Sequence, residues 1–167
     1  MTNGEFIKNL ILVLNRDLTA LQRIYDCCFQ KLFSTALFIM RNRDDAYDVA
    51  TDVILKLCEY SGDPNKIENY RALLAKMARN RALDYVRKNS RSLPLVGHEA
   101  AALEQDCLWL EDIYSALTEP QRELFVQHVI WGVRLRDVAA QTGVPYITVK
   151  RRYAEVKARI KKLYGCG

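Results

Sequence analysis

The chain has 167 residues, of which 50% are hydrophobic and 27% charged, a balance typical of soluble globular proteins. No apolar run approaches the roughly 20 residues of a membrane-spanning helix, so we expect no membrane insertion and a cytoplasmic location. The net charge of +5 is unevenly spread. Residues 70–91 contain seven basic and one acidic residue (net +6), and residues 132–162 contain nine and two (net +7), which leaves −8 for the rest. Two basic segments on an acidic background indicate a polyanion-binding protein that also contacts a protein partner.

The first half of the chain is predicted to contain three helices. Residues 18–40 have apolar side chains at i, i+3, i+4 and i+7 spacing, which predicts an amphipathic helix of about six turns. Asp44 can cap a second helix, whose apolar side includes Val49 and Val53. Turn-forming residues at 61–65 separate it from a third helix over 67–88, which contains neither Gly nor Pro.

Residues 89–106 lose the helical pattern and contain Ser, Pro and Gly, which predicts a flexible linker between a domain at 1–88 and a domain at 107–167. Beyond it, residues 108–117 form a short amphipathic pattern. Thr118 and Gln121 then have the spacing of a capping box, with Pro120 in the first turn, and that helix is expected to end at Gly132. The predicted fold class is all-α, with two small helical domains joined by a flexible linker.

Residues 135–153 have the pattern of a helix-turn-helix. Ala139 is small enough for a close helix crossing, Gly143 tolerates positive φ at the turn, and Val149 can be buried against the first helix. The second helix should begin near Pro145 and present polar and basic side chains to the major groove. An ordinary αα-hairpin is the alternative, but the basic tail that follows favours phosphate contact. The predicted DNA-contacting residues are Arg134, Arg136, Tyr146, Ile147, Thr148, Lys150, Arg151 and Arg152.

Three segments resemble the extracytoplasmic-function class of bacterial RNA polymerase sigma factors. Residues 78–88 read Ala-Arg-Asn-Arg-Ala-Leu-Asp-Tyr-Val-Arg-Lys, which is similar to the core of that family's promoter-melting helix. Residues 117–125 resemble the entry to its second domain, and Thr-Val-Lys-Arg-Arg at 148–152 resembles its recognition helix. The resemblance covers residues 18–162. It implies a transcription initiation factor with a region 2-like domain for the minus-10 element and a region 4-like domain for the minus-35 element.

The third helix carries the groups that opened promoter DNA requires. Single-stranded DNA is bound by cations at phosphates, amides at base edges and aromatic platforms. The residues predicted to contact the minus-10 region are Lys66, Asn69, Tyr70, Arg71, Lys76, Asn80, Arg87 and Lys88. By resemblance, the loop 61–66 would hold a flipped base. An intrahelical hydrogen bond is the alternative role for Asn80.

The resemblance assigns the second helix to the β′ clamp of core RNA polymerase. The residues it implies for this contact are Asp45, Asp48, Thr51 and Asp52. The family usually has a carboxylate where this chain has Tyr47 and an amide at Thr51, and a solvated acidic face is the alternative. The other implied partners are the polymerase β flap, promoter DNA and an anti-sigma factor, which members of the family often have.

Other protein classes fit the sequence less well. A conventional helix-turn-helix regulator acting without core polymerase is the main alternative, and a DNA-packaging subunit such as a phage small terminase is another. An enzyme is not expected, because no catalytic triad, carboxylate pair or P-loop is recognisable. The five cysteines and two histidines lack metal-binding spacing, so neither a metal nor a cofactor is expected. Cys27, Cys28 and Cys58 should pack as apolar groups, and Cys166 should be a free thiol.

Overall fold

The computed structural model describes residues 1–92 and 108–165, which form two compact units. The regular elements in both ranges are helical, as the sequence predicted. Within the same ranges, no helix is long and apolar enough to span a membrane.

The first unit is a four-helix assembly with α2 at its centre. Its elements are α1 (Asn3–Leu14), α2 (Leu18–Met40), α3 (Arg43–Cys58), a 3-10 turn (Pro64–Lys66) and α4 (Tyr70–Ser92). The helix α2 packs against each of the other three. Phe6, Ile24, Leu57 and Leu74, one from each helix, are fully buried. Because burial of such a side chain contributes about 1.5–3 kcal/mol, this shared core holds the four helices together.

The junction between α2 and α3 differs from the prediction in its cap. Asn42, not Asp44, is the N-cap of α3, because Asn42 has extended backbone angles and its side-chain oxygen accepts from the N–H of Asp45 at 3.0 Å. Arg41 ends α2 with a φ of +57°. Asp44 therefore lies inside the first turn of α3, where its negative charge interacts favourably with the helix dipole.

The helix α4 ends later than predicted. It continues to Ser92, whereas the third helix was predicted to end at residue 88. Asn and Ser lower helix propensity by only about 0.5 kcal/mol each, so they do not by themselves end the helix. The rest of the predicted linker and Cys107 lie outside the described residues. The predicted domain boundaries thus stay predictions.

The second unit contains the predicted helix-turn-helix. Its elements are α5 (Leu108–Ala116), α6 (Glu119–Leu124), a π-helical turn (Phe125–Ile130), α7 (Leu135–Thr142) and α8 (Tyr146–Tyr164). Thr118 caps α6 as predicted, and its N–H donates to the side chain of Gln121 at 3.1 Å. The prediction of one regular helix up to Gly132 is wrong in one respect, because its second half is π-helical. There the N–H of Trp131 donates to the carbonyl oxygen of Val126, five residues earlier and not four. Gly132 ends the segment with a φ of +65°.

The cysteines in the described ranges are free. Cys28 is fully buried in α2, and desolvation, followed by the neighbouring Cys27 thiol, raises the pKa of Cys28 to about 12. Cys28 therefore stays protonated and packs as the small apolar group that was predicted. Cys27 and Cys58 are half-buried, and Cys166 lies outside the described residues.

Candidate nucleic-acid and protein interfaces

The turn of the helix-turn-helix is formed by the predicted residues. Gly143 ends α7 with a φ of +68°, and an added Cβ there would meet no neighbouring atom. Gly143 is therefore required for its backbone conformation and not for lack of space. Val138, Ala139 and Val149 are buried, and α7 packs against α8. These buried side chains form the small core between α7 and α8 that the sequence predicted.

The first two turns of α8 carry most of the predicted DNA-contacting side chains. Ile147 is 78% exposed and Tyr146 is 42% exposed, and Lys150 and Arg151 are also exposed. Thr148, which was expected to be exposed, is half-buried, as is Arg152. On α7, the guanidinium of Arg136 lies 5.6 Å from the ring centroid of Tyr146, and Arg134 is exposed at the N-cap. The predicted residues therefore cluster around the N-terminal ends of α7 and α8.

Glu155 links α8 to α6 within this unit. Its carboxylate accepts from Gln121 Nε2 of α6 at 3.1 Å, and Gln121 is almost fully buried. Its other oxygen lies 3.9 Å from Arg151 Nε. Exposed ion pairs of this kind contribute about 0–1 kcal/mol, so Arg151 can exchange this partner for a phosphate at little cost.

The basic tail of α8 is only partly available to a ligand. Arg159 donates to the Ala116 carbonyl at 2.7 Å and so ties α8 to the end of α5. Lys157 Nζ lies 5.0 Å from the ring centroid of Tyr153. Lys161 and Lys162 are exposed, so the positive surface continues to the last turn of the helix.

The helix α4 displays the predicted amide and cations on its surface. Lys76 and Asn80 are exposed and lie four residues apart, which places them on one face. Arg87 and Lys88 are exposed further along, and Arg87 Nη1 is 3.5 Å from Asp84. This arrangement offers cations for phosphates and an amide for a base edge.

The start of α4 has a structural role that the sequence did not reveal. The side-chain oxygen of Asn69 accepts from the next two backbone N–H groups after Tyr70, at 3.1 and 3.2 Å, and so caps the helix. Tyr70 is only 5% exposed, and its ring stacks on Phe6 of α1 at 4.7 Å between centroids. Arg71 Nε lies 3.4 Å from the Tyr70 hydroxyl. Tyr70 is thus a core residue and is not placed as a base-stacking platform, which corrects the predicted aromatic role.

Most residues of the loop 61–66 are exposed, and Pro64 is half-buried. The carboxylate of Asp63 accepts from the N–H of Asn65 at 2.9 Å and starts the 3-10 turn. A Cβ at Gly62 would lie 2.7 Å from the Tyr60 hydroxyl oxygen, so a larger residue there would require the Tyr60 side chain to move. Asn65 and Lys66 are exposed, which keeps Lys66 accessible to a ligand.

The carboxylates predicted for the polymerase contact fall into two groups. Asp45 accepts from the Tyr85 hydroxyl at 2.7 Å, and Asp52 accepts from Arg81 Nε at 3.0 Å, so both bind α4. Asp48 is exposed. Asp45 and Asp52 thus accept hydrogen bonds from α4, whereas the exposed Asp48 is accessible to a protein partner.

Asp48 lies on a mixed polar and apolar face of α3. Tyr47 is 52% exposed and Leu55 is 57% exposed, and Thr51 is half-buried between them along the helix. The Tyr47 ring meets Phe29 of α2 edge-on, with 5.2 Å between centroids. Sequence reasoning named the acidic residues of this face but missed Leu55, whose apolar character alone does not distinguish it from a core residue.

The helix α1 was also missed, although its sequence contains a recognisable start signal. Thr2 and Glu5 form a capping box, with the Thr2 N–H donating to the Glu5 carboxylate at 2.7 Å. Phe6, Leu10 and Val13 follow at helical spacing and are buried. The capping box and this spacing together would have predicted the helix.

The described residues offer no cluster of three or more metal-ligating side chains. His128 Nδ1 is 2.7 Å from the Val133 carbonyl oxygen, and its ring packs edge-on against Tyr153 at 4.5 Å. Both contacts are structural ones for the second unit. His98 lies outside the described residues.

Comparison with known proteins agrees with this arrangement. Residues 24–92 match the family model of sigma-70 region 2. No match was found among curated protein sequences. Among solved structures, CnrH in complex with the cytosolic domain of CnrY is similar, with a TM-score of 0.71, 18% sequence identity and coverage of 96% of this chain and 97% of the matched chain. The predicted resemblance to sigma factors is therefore confirmed over residues 24–92, which match sigma-70 region 2, and the fold of the chain is similar to that of CnrH.

Proposed function

We propose that this protein is a sigma factor, which binds core RNA polymerase, directs it to specific promoters and promotes strand opening there. The observation that carries the proposal is that the region 2 match coincides with the unit whose α4 exposes Lys76 and Asn80, in a chain that also has a helix-turn-helix. The two functions, melting and upstream recognition, would then belong to different units of one chain.

In the second unit, α8 would enter the major groove at the minus-35 element. The N-terminal part of a recognition helix reads base edges, and neighbouring cations bind phosphates. The exposed Lys150 and Arg151 fit these roles, and the stacked pair of Arg136 and Tyr146 would contact the adjacent strand backbone. Specificity would come from base contacts and affinity mainly from phosphates.

In the first unit, α4 and the loop 61–66 would capture the opened minus-10 strand. Lys76 would bind a phosphate and Asn80 a base edge, because a single strand leaves both accessible. Lys66 at the end of the loop would add a further phosphate contact. Capture of this kind offsets the unpairing energy, which is a few kcal/mol for a flipped base.

The contact with core polymerase would use α3 and centre on Asp48 and Leu55. A charged side chain beside an exposed apolar one supports specific protein recognition, since the apolar group contributes buried area and the charge contributes orientation. Asp45 and Asp52 would act indirectly by fixing α3 against α4. The β flap, which the sequence also implied as a partner, would contact the second unit.

The decisive experiment combines a pull-down with core RNA polymerase and run-off transcription on promoter templates. We expect the protein to co-purify with core and to start transcription at defined sites only when core is present. A conventional regulator would instead bind a palindromic site alone and would leave core polymerase unaffected. Failure to bind core would refute the proposal.

A regulatory protein partner is a further part of the proposal. CnrH was solved in complex with the cytosolic domain of CnrY, and this chain has a similar fold. An anti-sigma partner for this chain should compete with core polymerase, so adding core should release it from the purified complex. A partner that stays bound together with core would contradict this role.

A further inference from the structure

The side chain of Asn3 bridges the end of the loop 61–66 and the start of α4. Its Nδ2 donates to the Ile67 carbonyl oxygen at 2.7 Å, and its Oδ1 accepts from the Tyr70 N–H at 2.8 Å. The two partners are 64 and 67 residues away in the sequence. A single amide therefore uses both of its ends to span the short connection between the 3-10 turn and α4.

This bridge completes the cap of α4. The first four N–H groups of a helix have no partner within the helix itself. In α4, Asn69 accepts from the N–H groups of the second and third residues, and Asn3 accepts from that of the first, Tyr70. Because Tyr70 is buried, its N–H would lack an acceptor if the Asn3 amide were removed.

Asn3 is itself held firmly in place. The capping box of Thr2 and Glu5 fixes the first turn of α1, in which Asn3 lies. Phe6, one turn further on, stacks on the Tyr70 ring. The sigma-70 region 2 match begins at residue 24, so these contacts reach the loop from outside the matched domain.

We propose that Asn3 is a positioning residue for recognition of the minus-10 element. By holding Ile67 and Tyr70 together, it fixes the loop 61–66 relative to α4, and base discrimination by the loop depends on α1. The inference rests on the proposed promoter-opening function and deepens it.

The test compares Asn3→Ala with Asn15→Ala as the matched control. Asn15 is an exposed amide at the other end of α1, and its side chain donates within its own helix, to the Ile11 carbonyl oxygen at 2.9 Å. In the free protein, Asn3→Ala should speed hydrogen exchange in peptides covering 61–72 by about tenfold, because two hydrogen bonds are lost. Asn15→Ala should leave those peptides unchanged.

The functional measurement uses the reconstituted holoenzyme and single-stranded oligonucleotides with the correct or an altered minus-10 base. Asn3→Ala should lower the preference for the correct base by about tenfold while core binding stays unchanged. Asn3→Asp, which keeps an acceptor for the Tyr70 N–H but loses the donor to Ile67, should give an intermediate loss.

Two outcomes would overturn the inference alone: full base preference in Asn3→Ala, or a parallel loss of core binding, which would indicate general destabilisation. If wild-type holoenzyme shows no base preference at all, the proposed function itself fails, and the inference fails with it.

Discussion

Asp52 and Asp48 provide a sharp test, because the sequence assigned them the same role and the structure gives them different surroundings. One oxygen of Asp52 accepts from Nε and Nη2 of Arg81, at 3.0 and 2.5 Å. The two side chains are 41% and 29% exposed, respectively, so solvent screens the pair in part. Hydrogen bonds to charged groups contribute about 1.5–3 kcal/mol when well shielded, and exposed ion pairs contribute about 0.2–1 kcal/mol. We therefore expect a coupling energy of about 1 kcal/mol between Asp52 and Arg81.

A double-mutant cycle with Asp52→Ala and Arg81→Ala measures this coupling. Both tryptophans, Trp109 and Trp131, lie in the second unit, so their fluorescence reports on that unit alone. Circular dichroism reports on the helices of both units. Urea unfolding of the first unit is therefore the change in circular dichroism that occurs without a change in tryptophan fluorescence. Asp48→Ala is the matched control, and its free energy of unfolding should stay within about 0.5 kcal/mol of wild type.

For binding to core polymerase, we expect substitution of Asp48 to have a larger effect than substitution of Asp52. Asp48→Lys should weaken binding to core polymerase about tenfold or more, since it would reverse a charge in the proposed interface. Asp52→Ala should bind core nearly as well as wild type under conditions where it is folded. A coupling energy within about 0.4 kcal/mol of zero, or normal core binding by Asp48→Lys, would refute the assignment of these two carboxylates.

Three further predictions concern DNA and pH. Lys150→Ala and Arg151→Ala should each lose about 1–3 kcal/mol of discrimination at the minus-35 element if the side chain reads a base, as measured on single-base promoter variants; unchanged promoter use in both would exclude α8 from the groove. Combined Lys76→Ala and Asn80→Ala should spare polymerase binding but reduce permanganate reactivity of unpaired thymines, and a pre-melted bubble template should restore much of the transcription; equal defects on duplex and bubble would contradict strand capture. The Thr2 backbone N–H donates to Glu5 and lowers the pKa of Glu5 below 4.5, so the contribution of Glu5 to stability is present above pH 4.5 and is lost as the pH falls through the lowered pKa. Glu5→Gln should therefore weaken the dependence of the free energy of unfolding on pH in the acid range. The same pH dependence in both proteins would show that the Glu5 cap contributes nothing.

Short-range features of this chain could be predicted from the sequence, and long-range ones could not. The helix-turn-helix was predicted correctly because its determinants, from Ala139 to Val149, lie within a few turns of one another. The hydrogen bond between Asp45 and Tyr85 spans 40 residues, and no periodicity in either helix indicates it. The burial of Tyr70 has the same origin, since its position near basic residues suggested DNA contact while its actual neighbour is Phe6.

Local ambiguity explains the remaining differences. Asn42 and Asp44 are both good caps, and the choice between them depends on where α2 ends. The π-helical turn before Gly132 has no established composition signal, and it is recognised only from the backbone spacing of its hydrogen bonds.

The packing of α1 has a practical consequence for dissecting this protein. A fragment cut at the limits of the region 2 match would start inside α2 and would lack Phe6 and Leu10, which are fully buried in the intact chain. Loss of α1 would uncover the Tyr70 ring and a groove along α2, and exposed apolar surface of this kind promotes self-association. The helical packing of the first unit thus extends beyond the segment that matches region 2. An expressed fragment of the first unit should therefore include α1 together with its capping box.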